Sequence, residues 1–182
     1  MSAGPALGGS LAGCQAGDPA SIRQFFTAHA PRVYRWALFR GLSPADAEDT
    51  AQEVLVIASR RFETCSSEAA VTSWLFQITR RVVANGRRKR WVRDVFSSSG
   101  AMEAGLEHPH DGGASLQFEI DMRRCLAKLP AAQAEVLILF EVDEFTRDEV
   151  AAMLGVPAGT VASRLRVARA AFRAVWEAEG LT

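Results

Sequence analysis

Five polar side chains near the C-terminus fall within ten consecutive positions: Thr160, Ser163, Arg164, Arg166 and Arg169. Hydroxyl and guanidinium groups donate hydrogen bonds to phosphate oxygens and to the acceptor edges of bases. We expect Thr160 to meet a phosphate at a helix start, and Ser163 and Arg166 to face bases. Arg164 and Arg169 suit backbone phosphates, with a guanine edge as a second possibility for Arg164.

The elements that must hold these side chains are two short helices joined by a tight turn. Val150 and Leu154 keep helical spacing in the first helix, and Gly155 lies where that helix must end. Pro157 marks the start of the second helix, whose apolar stripe is formed by Val161, Leu165 and Ala168. A short basic helix braced by another helix fits the major groove of DNA, so the pattern predicts a helix-turn-helix. The alternative is a solvated basic helix on an ordinary bundle.

A second group of polar and basic side chains lies near the middle of the chain. Its candidate nucleic-acid ligands are Arg80, Arg81, Asn85, Arg87, Arg88, Lys89 and Arg90. With Arg93, seven cations fall within residues 80–93, and they repel one another unless an anion neutralises them. Trp74 and Trp91 accompany this group, and aromatic rings beside arginines suit stacking on single-stranded bases. The alternatives are a core role for Trp74 and a solubilising helix end for the arginines.

An acidic helix start precedes the basic group. Ser43 can cap this helix, and Pro44 takes its first helical position. The helix dipole favours acids in the first turn, but it does not explain Gln52 and Glu53, which lie beyond that turn. The candidate ligands for a basic protein surface are Asp46, Asp49, Gln52 and Glu53. The alternative is a solvated helical face.

The totals for the whole chain constrain its class. The chain has 182 residues and no net charge, but residues 21–93 hold 13 Arg or Lys against 6 Asp or Glu. Basic groups are therefore concentrated in one part of the sequence. No apolar run is long enough to span a bilayer, and the first 17 residues contain no Lys or Arg to start a signal peptide. We expect a cytoplasmic protein without membrane insertion.

Chemical signatures of an enzyme are missing from the sequence. No catalytic triad, phosphate loop, dinucleotide-binding turn or metal-ligand spacing is present, so the sequence predicts no enzyme, cofactor or metal. The three cysteines, Cys14, Cys65 and Cys125, have neither disulfide nor zinc spacing. Buried, reduced thiols are favoured over a redox role for Cys65 or Cys125.

Apolar periodicity is helical nearly throughout, and Gly and Pro fall between the periodic segments. The pattern predicts an all-α protein of two small helical domains joined by a flexible linker. The predicted divisions are a disordered tail at 1–17, a first domain at 18–93, a linker at 94–115 and a second domain at 116–182. The predicted helices are 21–40 (one kinked helix or two), 44 to about 62, 71–91, 117–129, 131–142, 146–153 and 158–177.

Segments in both predicted domains resemble bacterial RNA polymerase sigma factors of the extracytoplasmic-function (ECF) type, in the sigma-70 family. The matching segments are Pro31–Leu38, Asp46–Val54 and Ser73–Arg80 in the first domain, and Leu129–Leu137 and Gly159–Arg169 in the second. The resemblance covers about residues 21–93 and 116–175. Two domain patterns in the order of the family are more specific than one helix-turn-helix alone.

The resemblance implies a transcription initiation factor. The acidic helix would bind the β′ clamp helices of core RNA polymerase. Helix 71–91 and the loop at 62–70 would bind the melted non-template strand of the minus-10 promoter element. The second domain would read the minus-35 element as duplex and contact the β flap, and an anti-sigma factor would mask these surfaces.

Two departures from the family pattern concern promoter choice. Family members often carry Asn in place of Arg81, and Lys or Arg in place of Ala162, so the sequence indicates how DNA is bound better than which sequence is read. The alternative function is a helix-turn-helix transcriptional regulator that acts without being a polymerase subunit. Such a regulator would need neither the acidic docking surface nor the single-strand grip.

Overall fold

The computed structural model describes residues 10–96 and 114–181, with side chains over 10–86 and 117–181. Within these ranges the chain is helical and contains no β-strand, which confirms the predicted all-α class. The α-helices are α1 (Leu11–Gln15), α2 (Pro19–Phe39), α3 (Pro44–Ser59), α4 (Val71–Phe96), α5 (Ala114–Ala127), α6 (Ala131–Leu137), α7 (Arg147–Leu154) and α8 (Ala158–Ala178).

The described chain divides into two compact units. The first unit contains the described residues through Ala37 and those from Pro44 to the end of α4. The second unit contains Leu38–Ser43 and the described residues from Ala114 onward. The predicted domain boundaries at 18–93 and 116–182 stay predictions.

The core of the first unit is formed by α2, α3 and α4. α3 begins at Pro44, as predicted, and packs on α4 while burying Val54 and Leu55. Trp36 of α2 and Phe76 of α4 are almost completely buried, with their rings edge-to-face at 5.2 Å. Such a ring pair contributes about 0.5–1.5 kcal/mol beyond its buried area. α2 continues through Pro31 as one helix, which decides between the two arrangements expected for residues 21–40.

The core of the second unit is formed around α8, against which α5, α6 and α7 pack. Val136, Leu139, Val150 and Val161 have no exposed surface. α6 continues into a π-helical segment, Ile138–Val142, and together they match the helix expected over 131–142. α7 and α8 match the helices expected over 146–153 and 158–177.

Residues 10–17 correct the prediction of a disordered tail over 1–17. The Ser10 hydroxyl oxygen accepts a hydrogen bond from the N–H of Gly13 at 3.1 Å, which caps α1. Leu11 and Cys14 of this helix are buried. Burial of these two side chains offsets the entropy cost of ordering the segment, and composition alone did not indicate that burial. Residues 1–9 lie outside the described residues.

The segment expected to link the two domains is helical at both of its ends. α4 runs to Phe96 and α5 begins at Ala114, so residues 94–96 and 114–115 of the predicted linker are helical. The remaining residues, 97–113, lie outside the described residues. Before α4, the loop at 62–70 contains two 3₁₀ turns, Phe62–Thr64 and Glu68–Ala70.

Candidate nucleic-acid interfaces

Local sequence signals build the turn between α7 and α8. The Thr146 hydroxyl oxygen accepts from the N–H of Glu149 at 3.4 Å, and the Glu149 carboxylate accepts from the N–H of Thr146 at 2.8 Å. This reciprocal cap fixes where α7 begins. α7 ends at Leu154 and is capped by Gly155, whose φ of 66° lies in the left-handed region that glycine adopts without strain. Pro157 then precedes the first residue of α8.

α8 buries one face and leaves predicted DNA ligands accessible. The buried residues are Val161, Leu165 and Ala168, the stripe expected from the sequence. Ser163 and Arg166 are exposed, whereas Thr160 and Arg164 are half-buried. The Ser163 hydroxyl donates to the Thr160 carbonyl oxygen at 3.0 Å, which holds it beside the helix start. Backbone N–H groups in the first turn of a helix favour an anion there.

The Arg169 guanidinium forms contacts with two side chains of the same unit, Glu141 and Phe140. Its Nη2 and Nε atoms lie 2.6 and 2.7 Å from Oε1 of Glu141. Its guanidinium carbon also lies 5.6 Å from the centre of the Phe140 ring, in cation–π range. Both charged side chains are about half exposed, so solvent weakens the pair and a phosphate can compete for the guanidinium.

A groove of about 550 Å³ on α7 and α8 brings four arginines together. Its basic lining is Arg147, Arg166, Arg169 and Arg173. Sequence reasoning missed Arg147 and Arg173. Arg173 is four residues beyond Arg169 and seven beyond Arg166, so helical spacing could have placed the three on one face. Arg147 begins α7, where the helix dipole disfavours a cation, and a bound anion would offset that repulsion.

A second groove, of about 310 Å³, lies between α3 and α4 of the first unit. Two predicted minus-10 ligands, Arg81 and Asn85, line it together with Glu53, a predicted polymerase ligand. Arg60 and Arg61, which sequence reasoning missed, line it as well. A pair of arginines just after a helix is ordinary dipole compensation, so their pattern carried no nucleic-acid signal.

The acidic residues of α3 form an exposed surface opposite its buried side. Asp49, Gln52 and Glu53 are exposed, while Asp46 is half-buried. The buried residues of this helix include Thr50, Ala51 and Val54. Positions 46, 49 and 53 follow helical spacing, so the structure brings these acids onto one side of α3.

The basic end of α4 is partly within the described side chains. Arg80 is half-buried, and Arg81 and Asn85 are exposed. The side chains of Arg87, Arg88, Lys89 and Arg90 lie outside the described ones, although their backbone belongs to α4. Trp74 is half-buried rather than a core residue, and its Nε1 donates to the Thr64 hydroxyl at 3.1 Å.

Comparisons with known proteins agree with this arrangement. Residues 25–93 match the Sigma-70 region 2 family, and residues 120–172 match the Sigma-70 region 4 family. ECF RNA polymerase sigma factor EcfG of Rhodopseudomonas palustris (strain TIE-1) is 31% identical over 160 residues, which cover 88% of this chain and 87% of the relative. This chain belongs to the ECF sigma factors of the sigma-70 family.

A second relative and a solved structure also match this sigma factor over most of its length. ECF RNA polymerase sigma factor SigL of Mycobacterium tuberculosis is 30% identical over 176 residues, covering 94% of this chain and 98% of the relative. The sigma factor RpoE in complex with the anti-sigma factor NepR, from Bartonella quintana, matches with a TM-score of 0.73 and 27% identity. That match covers 85% of this chain and 96% of the other.

The loop before α4 of the sigma factor has a buried side and an exposed side. Phe62 and Cys65 are buried, and the Phe62 ring packs edge-to-face on Phe25 at 4.9 Å. Ser66 and Ser67 are exposed and place two hydroxyl groups at the surface. The loop therefore has a fixed apolar base and a polar outer edge.

The cysteines of the sigma factor are free and buried. Burial raises the pKa of the Cys65 and Cys125 thiols, and it raises the pKa of Cys14 with help from the negative charge of Glu68. A raised pKa lowers the thiolate fraction, and the thiolate is the reactive form. These environments favour a packing role.

The described residues contain neither a helix able to cross a membrane nor a cluster able to hold a metal ion. Within the part of the chain that the structure describes, no helix has the length and apolar character needed to cross a membrane. No group of three or more His, Cys, Asp or Glu side chains within the described residues is placed to hold a metal ion.

Proposed function

We propose that this sigma factor directs core RNA polymerase to promoters through two separate DNA contacts. The helix-turn-helix of the second unit, α7 and α8, reads the minus-35 element as duplex, and the first unit holds the minus-10 strand after melting. The groove with four arginines on α7 and α8 is the observation that carries the proposal, because it joins a helix-turn-helix to a concentrated positive charge.

On the minus-35 element, the exposed residues near the start of α8 face the bases. Ser163 and Arg166 take that role, and Thr160 meets a phosphate at the helix start. Arg164 meets a phosphate or a guanine edge. Arg169 contacts backbone phosphate after it exchanges Glu141 for the anion. Phosphate contacts fix the register of α8, while base contacts discriminate sequence.

On the minus-10 element, the basic end of α4 and the loop at 62–70 hold the melted strand. The residues assigned to this contact are Arg80, Arg81, Asn85, Arg87, Arg88, Lys89 and Arg90. A contact that neutralises about 6 to 10 phosphates is strongly salt-dependent. Its affinity is expected to fall by roughly 10³–10⁵ when the salt concentration rises from 50 to 200 mM. The exposed hydroxyls of Ser66 and Ser67 supply hydrogen-bond donors beside that charge.

Protein partners are assigned to the acidic surface and to the second unit. Asp46, Asp49, Gln52 and Glu53 dock on the β′ clamp helices of core RNA polymerase, and the second unit contacts the β flap. The structural relative RpoE was solved with the anti-sigma factor NepR, and we assign an anti-sigma partner to this chain as well. The protein acts in the cytoplasm, has no catalytic activity and needs no cofactor, because nucleotide transfer belongs to the core polymerase.

Reconstitution with core polymerase tests the function directly. The holoenzyme is expected to start transcription at promoters that the core alone ignores, and sequencing the RNA 5′ ends yields those promoters. Tight duplex binding without polymerase, together with no initiation in any reconstitution, would favour a regulator that is not a polymerase subunit.

Two sets of variants separate the assigned surfaces. Arg164→Ala with Arg166→Ala is expected to abolish promoter selection while leaving polymerase binding intact. Asp49→Ala with Glu53→Ala is expected to weaken polymerase binding while leaving the second unit able to bind the minus-35 duplex. Loss of polymerase binding in the arginine variant would contradict the assignment of α8.

A further inference from the structure

Helix α1 is bound to the loop at 62–70 by three hydrogen bonds. The side-chain amide nitrogen of Gln15 donates to the carbonyl oxygens of Phe62 at 3.0 Å and Cys65 at 3.2 Å. The backbone N–H of Leu11 donates to Oε2 of Glu68 at 2.8 Å. One five-residue helix therefore contacts both 3₁₀ turns of the loop, at positions 47 to 57 residues away in sequence.

Gln15 holds the part of the loop that has the least regular structure. The carbonyl oxygen of Phe62 already accepts from the N–H of Cys65 at 3.0 Å, so the bond from Gln15 occupies its second acceptor position. The carbonyl of Cys65 lies immediately before the exposed Ser66 and Ser67. Fixing the peptide group of Cys65 fixes the backbone that aims these two hydroxyls.

The hydrogen bond from Leu11 orients the negatively charged carboxylate of Glu68. A carboxylate on a loop that binds a nucleic-acid strand repels phosphate. The Leu11 N–H, in the first turn of α1, accounts for one carboxylate oxygen of Glu68 and turns the group toward α1. The burial of Leu11 and Cys14 on the same helix keeps this donor in place.

We infer that Gln15 is a positioning residue for minus-10 recognition, through its hydrogen bonds to the carbonyl oxygens of Phe62 and Cys65. It acts on the strand through the loop and does not touch the strand itself. The inference rests on the proposed function, since it requires that the loop at 62–70 bind the melted strand.

Gln15→Glu is the sharpest perturbation, because it keeps the size of the side chain and replaces the donor amide with an acceptor. The carboxylate would face two carbonyl oxygens and push the loop away. Gln24→Glu is the matched control, since Gln24 is exposed on α2 of the same unit and undergoes the same change in charge. Gln15→Leu removes the donor without adding charge.

The experiment compares two promoter probes bound by reconstituted holoenzyme. One probe is a DNA fragment with an unpaired minus-10 segment, and the other is a fully paired fragment with only the minus-35 element. Gln15→Glu is expected to weaken binding of the first probe about tenfold, which corresponds to roughly 1.4 kcal/mol, and to leave the second unchanged. Gln15→Leu should show a smaller loss on the same probe, and Gln24→Glu almost none. Amide hydrogen exchange should speed up at Cys65, whose N–H donates to the carbonyl oxygen of Phe62, in both Gln15 variants.

Each other outcome has a defined meaning. If Gln15→Glu matches Gln24→Glu on the unpaired probe, the positioning role is overturned while the proposed function stands. If both probes weaken equally and the melting temperature falls, Gln15 is a structural residue and the inference is also overturned. The minus-10 assignment itself is tested in a chain that keeps Gln15. If the triple variant Ser66→Ala, Ser67→Ala, Arg81→Ala binds the unpaired probe as well as the wild type does, that assignment fails.

Discussion

Replacing Glu141 by glutamine is expected to strengthen binding to the minus-35 duplex through Arg169. In the free protein the Arg169 guanidinium bonds to the Glu141 carboxylate at 2.6 and 2.7 Å. To contact a phosphate, Arg169 must give up or weaken that pair. Glu141→Gln leaves a neutral side chain of the same size, so it releases the guanidinium without creating a cavity.

The magnitude follows from the exposure of the pair. The side chains of Arg169 and Glu141 are 53% and 44% exposed, so solvent screens the attraction strongly. Exposed ion pairs contribute about 0.2–1 kcal/mol, which corresponds to a gain in duplex affinity of about 1.4- to 5-fold. Arg169→Ala should act in the opposite direction and reduce the slope of log affinity against log salt by about 0.9, the value for one phosphate.

The assay is titration of a minus-35 duplex fragment with reconstituted holoenzyme between 50 and 200 mM salt. Glu177→Gln is the matched control, because Glu177 is exposed on α8 and its replacement changes the net charge by the same amount. The gain from Glu141→Gln should vanish in the Arg169→Ala background, because Glu141 acts on duplex binding through Arg169. An equal gain from Glu177→Gln, or a gain that persists without Arg169, would refute the mechanism and leave only a general field effect.

Three further predictions concern stability and reactivity. Thr146→Ala should destabilise α7 by about 1 kcal/mol, measured by amide exchange, whereas Thr27→Ala on the exposed face of α2 should be close to neutral. Hydrogen bonds from Thr146 lower the pKa of Glu149 below its usual value of 4.5. The contribution of Glu149 to stability is therefore complete above that pH and is lost as pH falls through the lowered pKa. In urea unfolding from pH 6 to pH 3, the free energy of unfolding should depend less on pH in Glu149→Gln than in the wild type. Thiol labelling near pH 7 should be slow in the native protein and slowest at Cys125, which has no exposed surface, as measured by mass spectrometry with and without denaturant.

The helix-turn-helix could be predicted because its determinants are local. Val150 and Leu154 keep helical spacing in α7, and Gly155 and Pro157 mark one turn. The apolar stripe of α8 is also a local pattern with helical spacing. Such signals depend on neighbouring residues, so tertiary structure was not needed to find them.

Contacts between residues distant in sequence could not be predicted in this way. Helix α1 is short and contains a glycine, and its order depends on partners 47 to 57 residues away, so its composition resembled a disordered tail. The pairing of Arg169 with Glu141 spans 28 residues and depends on how α8 packs against the π-helical segment. Arg147 lies beside the arginines of α8 because the turn between α7 and α8 brings the two helices together, whereas Arg173 could have been placed from helical spacing alone.

Two contacts restrain charged groups of opposite sign, Arg169 and Glu68, and DNA can replace the partner of only one of them. Arg169, whose charge attracts phosphate, is held by an exposed carboxylate that an anion can replace at small cost. Glu68, whose charge repels phosphate, is held by a backbone N–H that phosphate, itself an acceptor, cannot replace. The surface that we assign to the minus-35 element is therefore restrained by a contact that DNA itself can exchange. The loop at 62–70, which we assign to the minus-10 strand, depends on a contact that must persist while the strand is bound. Variants of Glu141 should accordingly change duplex affinity, and variants of Gln15 should change only the response to a melted strand.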